Sequence, residues 1–167
     1  MTGPRMHAPA AAPADRVDGA GMRIAIVAAR FNGQIVELLL DGARACLAEH
    51  GVAPDAVQIL WVPGAFELPL AADRAARTGR FEAVVCLGVV VRGETPHFDF
   101  VAGEAARGIQ EVALRTGVPV SFGVLTTETV DQALERAGGE QGNKGWDAAL
   151  AALEMVHTLD GLVPRQA

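Results

Sequence analysis

Short, continuous apolar runs alternate along the chain with segments of helical periodicity. A run such as MRIAIVAA, at residues 22–29, is typical of a strand whose two faces are both covered. The segments between the runs repeat apolar side chains every three or four positions and end at glycine, which is typical of helices. The predicted strands are residues 22–29, 56–62, 81–91 and 118–127, and the predicted helices are residues 34–50, a segment after Gly64 that ends at Gly79, then 98–116, 129–137 and 146–157.

This alternation predicts an α/β fold. Strands that are joined through helices pair in parallel with right-handed crossovers, so we expect a three-layer αβα sandwich around a four-stranded parallel sheet. Ligands bind such sheets beyond the carboxyl ends of the strands. Functional residues are therefore expected in the loops ARFNG, VPGAFELP, VRGETPHFD and FGVLTTET, one after each strand.

The two ends of the chain differ in composition from the part between them. Residues 1–20 are rich in Ala, Pro and Gly and lack the apolar centre of a signal peptide, so they are predicted to form a flexible arm. Residues 21–160 are predicted to form a single domain, and residues 161–167 a C-terminal tail. Within the domain, Thr129 and Gln132 have the spacing of a capping box, and residues 138–145 are predicted to form a loop.

The composition indicates that apolar surface is buried between subunits. Half of the 167 residues are hydrophobic and only 20% are charged, with a mean hydropathy of +0.25. That value is high for a chain whose surface-to-volume ratio limits how much it can hide internally. We therefore expect part of the apolar surface to be covered by other copies of the chain. The alternative is an alanine-rich composition that raises hydropathy without forming apolar patches.

Charge and cysteine content narrow the classes of partner. The net charge of −6 and the pI near 5.1 argue against nucleic-acid binding, which needs clustered cations. No segment approaches the roughly 18 apolar residues of a membrane helix. Cys46 and Cys86 lie in apolar segments and form no C-x-x-C motif, so neither a zinc site nor a disulfide is expected. Buried free thiols suit a reducing compartment, and a cytoplasmic location is predicted.

The loops carry no standard nucleotide fingerprint. No G-x-G-x-x-G follows the first strand, so a dinucleotide site is not expected. The segment GGEQGNKG has some likeness to a phosphate-binding P-loop. However, Asn143 stands where the glycine before Lys144 should be, and the segment follows a helix rather than a strand.

His97 is the candidate for acid–base chemistry. Of the four histidines, His97 alone is predicted to lie at the carboxyl end of a strand and near the start of a helix. An imidazole there can transfer protons near neutral pH, or it can simply bond to the backbone at the helix start. Glu94 and Thr95 precede it, where free helix amides can hold a phosphate or where threonine acts as an ordinary cap.

Other candidates also have a purely structural interpretation. Arg136 lies at the end of a helix, where an exposed cation is favoured without any ligand. Glu67 falls in a first helical turn, where a carboxylate is stabilising by itself. Phe31 and Phe122 are of a type that usually belongs to the core, although a core phenylalanine is less expected in the loop that holds Phe31. Their convergence on one sheet edge favours a functional site.

Five motifs occurring together and in order resemble the lumazine synthase family of riboflavin biosynthesis. The resemblance covers residues 22–156, and it implies a flavodoxin-like fold that forms pentamers. The motifs are RFN at residues 30–32, VPGAFELP at 62–69, LGVVVRGETPHFDFV at 87–101, GVPVSFGVLTTE at 117–128 and ERAGGEQGNKGWDAA at 135–149.

The resemblance implies a transferase that needs no metal or cofactor. Its expected reaction condenses 5-amino-6-(ribitylamino)uracil with 3,4-dihydroxy-2-butanone 4-phosphate. The product is 6,7-dimethyl-8-ribityllumazine, with loss of phosphate and water. This is the penultimate step on the route to riboflavin.

The resemblance also assigns roles to residues of this sequence. His97 is the expected catalytic group, the phosphate is expected to meet Glu94, Thr95 and Arg136, and Lys144 is expected to contribute secondarily to the electrostatics. Phe122 and Arg136 are expected to come from a neighbouring subunit. The pyrimidine and ribityl chain are expected to contact Phe31, Asn32, Ala65, Phe66, Glu67, Val89, Val90, Val91 and Phe122.

Two departures from the family pattern concern binding and assembly. Val89 stands where many members have threonine, which removes a hydroxyl but leaves backbone contacts in place, and Glu140 stands where shell-forming members often have lysine. The short loop around Glu140 still favours assembly of pentamers into an icosahedral 60-mer. Association with riboflavin synthase stays open.

Two other functions compete with the synthase. A paralogue of the family could hold flavin or lumazine in the same pocket with little turnover. Alternatively, the shell itself could serve as a container. The presence of His97, Arg136 and Glu67 favours the enzyme.

Overall fold

Four parallel strands form the centre of the molecule. The structure is a computed structural model that describes residues 17–162. The strands are β1 (Ile24–Ala29), β2 (Val57–Val62), β3 (Ala83–Val91) and β4 (Val120–Thr127), and they lie in the order β2-β1-β3-β4. All four predicted strands and their parallel pairing are confirmed. The residues of β1 are all buried, as its continuous apolar run predicts.

Helices cover both faces of this sheet, which confirms the three-layer sandwich. One hydrophobic cluster joins the sheet to the first, fourth and fifth helices, and a second cluster joins the opposite face to the second and third helices. The helices are α1 (Gly33–Glu49), α2 (Leu68–Arg77), α3 (His97–Thr116), α4 (Val130–Glu135) and α5 (Lys144–Asp160). No helix in residues 17–162 is long and apolar enough to cross a membrane.

The segment predicted as a loop at residues 138–145 is more ordered than expected. Two short strands, β5 (Ala137–Gly139) and β6 (Gly142–Asn143), pair antiparallel, and α5 begins at Lys144. Gly138 and Gly142 have φ of 107° and 76°, which glycine adopts without a steric penalty. The prediction was wrong because strands of two or three residues leave no periodic signal in the sequence.

Asn143 starts α5 and fixes it to α1. Its Oδ1 accepts hydrogen bonds from the amides of Gly145 (2.8 Å) and Trp146 (3.2 Å), which explains why the helix begins earlier than predicted. Its Nδ2 donates to the carbonyl of Leu38 in α1, at 2.9 Å. The cap of one helix therefore also sets the distance between two helices.

Two glycines allow α1 and α5 to approach closely. A Cβ atom on Gly145 would lie 1.9 Å from the carbonyl oxygen of Leu39, and one on Gly42 would lie 2.2 Å from the Asn143 side chain. Real Cβ atoms do not approach other atoms so closely. The contact between the helices thus depends on the absence of side chains at these positions.

The predicted cap of α4 is present in a modified form. Thr129 Oγ1 accepts from the amide of Gln132 at 3.1 Å. The Gln132 side chain accepts from the amide of Glu128 at 2.9 Å, one residue before the cap. Both ends of this turn are therefore satisfied, and the segment after β4 is held in place.

Both cysteines are buried, free thiols, as predicted. Burial raises the pKa of Cys46 and that of Cys86 to about 12. Both thiols are therefore protonated at neutral pH, and they are poor nucleophiles because the thiolate is the reactive form.

Most of the predicted N-terminal arm, residues 1–16, lies outside the described residues, as do residues 163–167 of the predicted tail. The last part of the arm contacts the domain. The Gly19 amide donates to the carbonyl of His50 at 2.7 Å, and Val17 packs against the hydrophobic cluster beneath α1 and α5. His157, near the end of α5, bonds through Nε2 to the carbonyl of Asp18 at 2.7 Å.

Candidate active site

A cavity of about 630 Å³ opens at the carboxyl ends of β1, β2 and β3 and beside the start of α3. This is the place where parallel sheets bind ligands, and the volume is typical of small-molecule sites. Most of the predicted site residues line it. They are Phe31, Asn32, Ala65, Phe66, Glu67, Val89, Val90, Val91, Thr95 and His97.

The loop after β1 is tied to both neighbouring strands. The amide of Arg30 donates to the Val62 carbonyl at 2.8 Å, and the amide of Phe31 donates to the Pro63 carbonyl at 3.0 Å. Asn32 adopts a left-handed conformation, with φ of 56°, and its Nδ2 donates to the Val89 carbonyl at 2.9 Å. The backbone is thereby fixed, while the ring of Phe31 stays 72% exposed at the cavity.

Asn32, which was predicted to bind substrate, also has a structural role. Asparagine tolerates the left-handed region better than most residues do, because its short polar side chain can bond locally. Here that side chain bonds to β3 rather than standing free, and it occupies the carbonyl of Val89. Among the three valines, Val89 is buried, whereas Val90 and Val91 are half-buried at the cavity.

The loop after β2 presents Phe66 and Glu67. A 3-10 turn at Ala65–Glu67 is closed by Glu67, whose amide donates to the Gly64 carbonyl at 3.2 Å and whose Oε2 accepts from the Gly64 amide at 3.0 Å. The second carboxylate oxygen of Glu67 can accept from a ligand. Ala65 is buried beneath the turn, and Phe66 is 59% exposed.

His97 is the first residue of α3 and is exposed at the cavity. Its amide lies 3.4 Å from Oγ1 of Thr95, and the amide of Asp99 donates to the Pro96 carbonyl at 3.0 Å. The first turn of a long helix leaves backbone amides without helical partners, and these can hold an anion. An imidazole, which is able to transfer protons, and backbone amides, which are able to hold an anion, are therefore adjacent.

Arg92 makes contacts near the site that were not predicted from the sequence. Its guanidinium pairs with Glu128 at 2.8 Å and with Asp99 at 3.2 Å, and its Cζ lies 4.3 Å from the centre of the Phe98 ring. The hydrogen bonds to Glu128 and then to Asp99 raise the pKa of Arg92 above its ordinary value. Asp99 and Glu128 follow Arg92 by 7 and 36 positions, and no local pattern of the sequence marks them as its partners.

Six residues that line the cavity were not predicted from the sequence. Phe98, Phe100 and Val101 come from the first turns of α3, and their positions follow from where that helix begins. The complete set is Pro63, Gly64, Gly93, Phe98, Phe100 and Val101.

Four predicted residues do not line this cavity within the described part of the chain. Glu94 lies between two lining residues without being one itself, and Phe122 pairs with Cys86 well before the carboxyl end of β4. Arg136 ends α4, where its Nη1 donates to the Gln132 carbonyl at 3.0 Å. Lys144 pairs with Asp147 at 2.8 Å.

The arrangement suits a planar, polar heterocycle better than a metal ion. Aromatic and valine side chains form the walls of the cavity. The Glu67 carboxylate can accept hydrogen bonds from hydroxyl groups, and the His97 imidazole lies at the rim. Among the described residues, no group of three or more His, Cys, Asp or Glu side chains could hold a metal ion. The chemistry available from these residues is stacking, hydrogen bonding and proton transfer.

Comparison with known proteins agrees with this geometry. The family model for 6,7-dimethyl-8-ribityllumazine synthase matches residues 21–160. The 6,7-dimethyl-8-ribityllumazine synthase of Desulfatibacillum aliphaticivorans is 53% identical over 137 residues, which are 82% of this chain and 88% of that protein. The chain therefore belongs to the 6,7-dimethyl-8-ribityllumazine synthase family.

Proposed function

We propose that this protein condenses 5-amino-6-(ribitylamino)uracil with 3,4-dihydroxy-2-butanone 4-phosphate to give 6,7-dimethyl-8-ribityllumazine, phosphate and water in riboflavin biosynthesis. The observation that carries this proposal is the shared cavity of Phe31, Glu67 and His97, in a chain that belongs to the synthase family. Nothing in the geometry or in the relative favours a binding module with little turnover.

The pyrimidine and its ribityl chain fit the walls formed by the first three strands. Phe31 offers an exposed ring for stacking on the heterocycle. The backbone of Val90 and Val91 faces the polar edge of that heterocycle. The free oxygen of Glu67 accepts from the ribityl hydroxyls, and Phe66 covers the chain.

Proton transfer falls to His97. The aromatic amine attacks the ketone, and the adduct loses water to form a Schiff base. Removal of the proton beside the imine expels phosphate and leaves an enol, which tautomerises to a ketone. The second amine attacks that carbonyl and closes the ring with loss of a second water. Each of these steps transfers a proton to or from an atom close to the bonds that join the two substrates. A single exposed imidazole at the rim of the cavity can serve these steps in turn.

The phosphate is proposed to bind at the start of α3. Thr95 and Glu94 offer backbone amides there, and the guanidinium of Arg136 is suited to an oxyanion because of its planar fork. Since Arg136 and Phe122 lie outside the cavity of their own chain, we propose that a neighbouring subunit supplies both. Lys144 is proposed as a secondary contributor to the electrostatics: its amide donates to the Arg136 carbonyl at 2.8 Å, and its ammonium is paired with Asp147.

A homo-pentamer is the proposed assembly. Large apolar side chains are exposed on α3, on β4, which carries Phe122, and on α4, which Arg136 ends, and exposed apolar surface of this kind is usually covered by a partner. Such a partner would also complete the cavity. The residues are Phe100, Leu114, Phe122, Val130 and Leu134. Assembly of pentamers into an icosahedral shell and association with riboflavin synthase are further proposals that electron microscopy and co-purification can test.

The activity is tested by mixing the protein with both substrates and following the fluorescence of the lumazine. We expect product to form faster than in the uncatalysed mixture. Fluorescence that does not exceed that background, while flavin or lumazine still binds, would contradict the synthase and favour the binding module.

Replacing Arg136 with alanine should raise the KM for the butanone phosphate about 30-fold, because a charge-assisted hydrogen bond contributes about 2 kcal/mol. The KM for the pyrimidine should change less than about twofold. Steady-state kinetics with each substrate varied in turn measures both values. Arg107→Ala, which removes an exposed arginine paired with Glu104, is the matched control. Equal losses for the two substrates would contradict the assignment.

A further inference from the structure

Arg92 connects three segments beside the cavity, and it lies between the lining residues Val91 and Gly93. It is the first residue after β3, and its amide donates to the Thr127 carbonyl at the end of β4, at 2.8 Å. Its Nε lies 2.8 Å from Glu128, in the loop that follows β4, and its Nη2 lies 3.2 Å from Asp99, in the first turn of α3. One side chain therefore joins the ends of two strands to the start of a helix.

The same guanidinium lies over the Phe98 ring, with Cζ 4.3 Å from the ring centre. Phe98 follows His97 directly and lines the cavity, and Asp99 comes one residue later. Two consecutive residues after the histidine are thus held by one planar group. Lysine could not reproduce this, because stacking and pairing in two directions need the flat fork of arginine.

The segment between Arg92 and the helix needs such a contact. Residues 92–97 are all exposed, and the contact between the His97 amide and Thr95 Oγ1 is long, at 3.4 Å. An exposed segment with weak internal bonding samples many conformations unless it is held at its ends. His97 and Thr95 lie within that segment.

We propose that Arg92 is a positioning residue that fixes the first turn of α3 and so places His97 against the cavity. This proposal rests on the proposed function of His97. The Arg92 side chain is 38% exposed and its two carboxylate partners are about 60% exposed, and ion pairs between exposed groups contribute little to global stability. The contribution of Arg92 is therefore to local geometry, where a displacement of about 1 Å can cost up to about 100-fold in rate.

Arg92→Ala is expected to lower kcat about tenfold, with a change in the melting temperature no larger than that of the control. The control is Arg107→Ala in α3, whose guanidinium pairs with Glu104 and with Glu111 (3.5 Å) away from the cavity. Arg92→Lys should recover only part of the loss. If Arg92→Ala fails to fold, Asp99→Asn and Glu128→Gln each remove one charged partner and should lower kcat in the same direction.

A double-mutant cycle with His97 separates positioning from a general structural effect. If Arg92 acts through His97, then Arg92→Ala lowers kcat less than about twofold in a His97→Ala background. A further tenfold loss in that background would overturn the proposal, as would equal effects of Arg92→Ala and Arg107→Ala.

Hydrogen exchange of the backbone, measured by mass spectrometry, tests the same proposal without turnover. Amides in residues 93–101 should exchange about tenfold faster in Arg92→Ala than in the wild type and should be unchanged in Arg107→Ala. Unchanged exchange in both variants would overturn the proposal. If the wild-type protein forms no lumazine, the proposed function fails, whereas the exchange rates still decide whether Arg92 holds this segment.

Discussion

Replacing His97 with alanine is expected to lower kcat about 100-fold while the protein stays folded. General acid–base groups typically contribute about 100-fold or more, and we expect the lower end because the amine and ketone already react in water. Holding the two substrates side by side in the cavity supplies much of the remaining acceleration. The side chain is exposed, so its removal leaves no cavity in the core.

Steady-state kinetics by lumazine fluorescence measures this effect, with His157→Ala as the control. His157 is an imidazole near the end of α5 whose contact is with the Asp18 carbonyl, so its removal should leave kcat unchanged. A collapse of His97→Ala to the uncatalysed rate would show that the histidine contributes more than proximity does. An unchanged kcat would remove His97 from the mechanism.

The second large effect concerns stability. Gly145→Ala is expected to lower the free energy of unfolding by about 3 kcal/mol, because added atoms in a packed contact force the structure to shift. The new Cβ would lie 1.9 Å from the carbonyl oxygen and 2.6 Å from the carbonyl carbon of Leu39, and backbone atoms cannot rotate away as a side chain can. Leu39 is itself fully buried, which limits the movement of α1.

Urea unfolding at a fixed protein concentration measures this loss, and Gly103→Ala is the matched control. Gly103 lies inside α3, and a Cβ there meets no atom within 4 Å. Alanine favours a helix over glycine by about 1 kcal/mol, so this variant should be slightly more stable than the wild type. Equal stabilities for the two variants would contradict the importance of the contact between α1 and α5.

The two inner strands of the sheet, β1 and β3, could be predicted from sequence because they are buried on both faces. Burial on both faces leaves continuous apolar runs, and the strand ends follow from Asn32-Gly33, Pro63-Gly64 and Arg92-Gly93. The ribbon of β5 and β6 could not be predicted in this way. Its position depends on Asn143 bonding to the carbonyl of Leu38, a contact between residues 105 positions apart.

The position of the cavity could be predicted from the topology of the sheet, whereas the contacts of Arg92 beside it could not. Phe31, Glu67 and His97 come from loops after three different strands, and the parallel order of those strands brings the loops together. The partners of Arg92 lie in two other segments, and no local pattern marks them as a pair. The signal for Arg92 therefore becomes visible only when the ends of β3 and β4 are adjacent.

In the loops after β1 and β2, backbone contacts and the Glu67 carboxylate fix the conformation, while the aromatic rings are exposed at the cavity. This has a consequence for redesign. The backbone of Phe31 is held by the Pro63 carbonyl, and the turn that carries Phe66 is closed by Glu67 and Gly64, so neither ring supports the loop that bears it. Both rings can then be exchanged for other side chains without weakening the scaffold. A library varied at these two positions alone could select pockets for new planar ligands while Asn32, Gly64 and Glu67 stay constant.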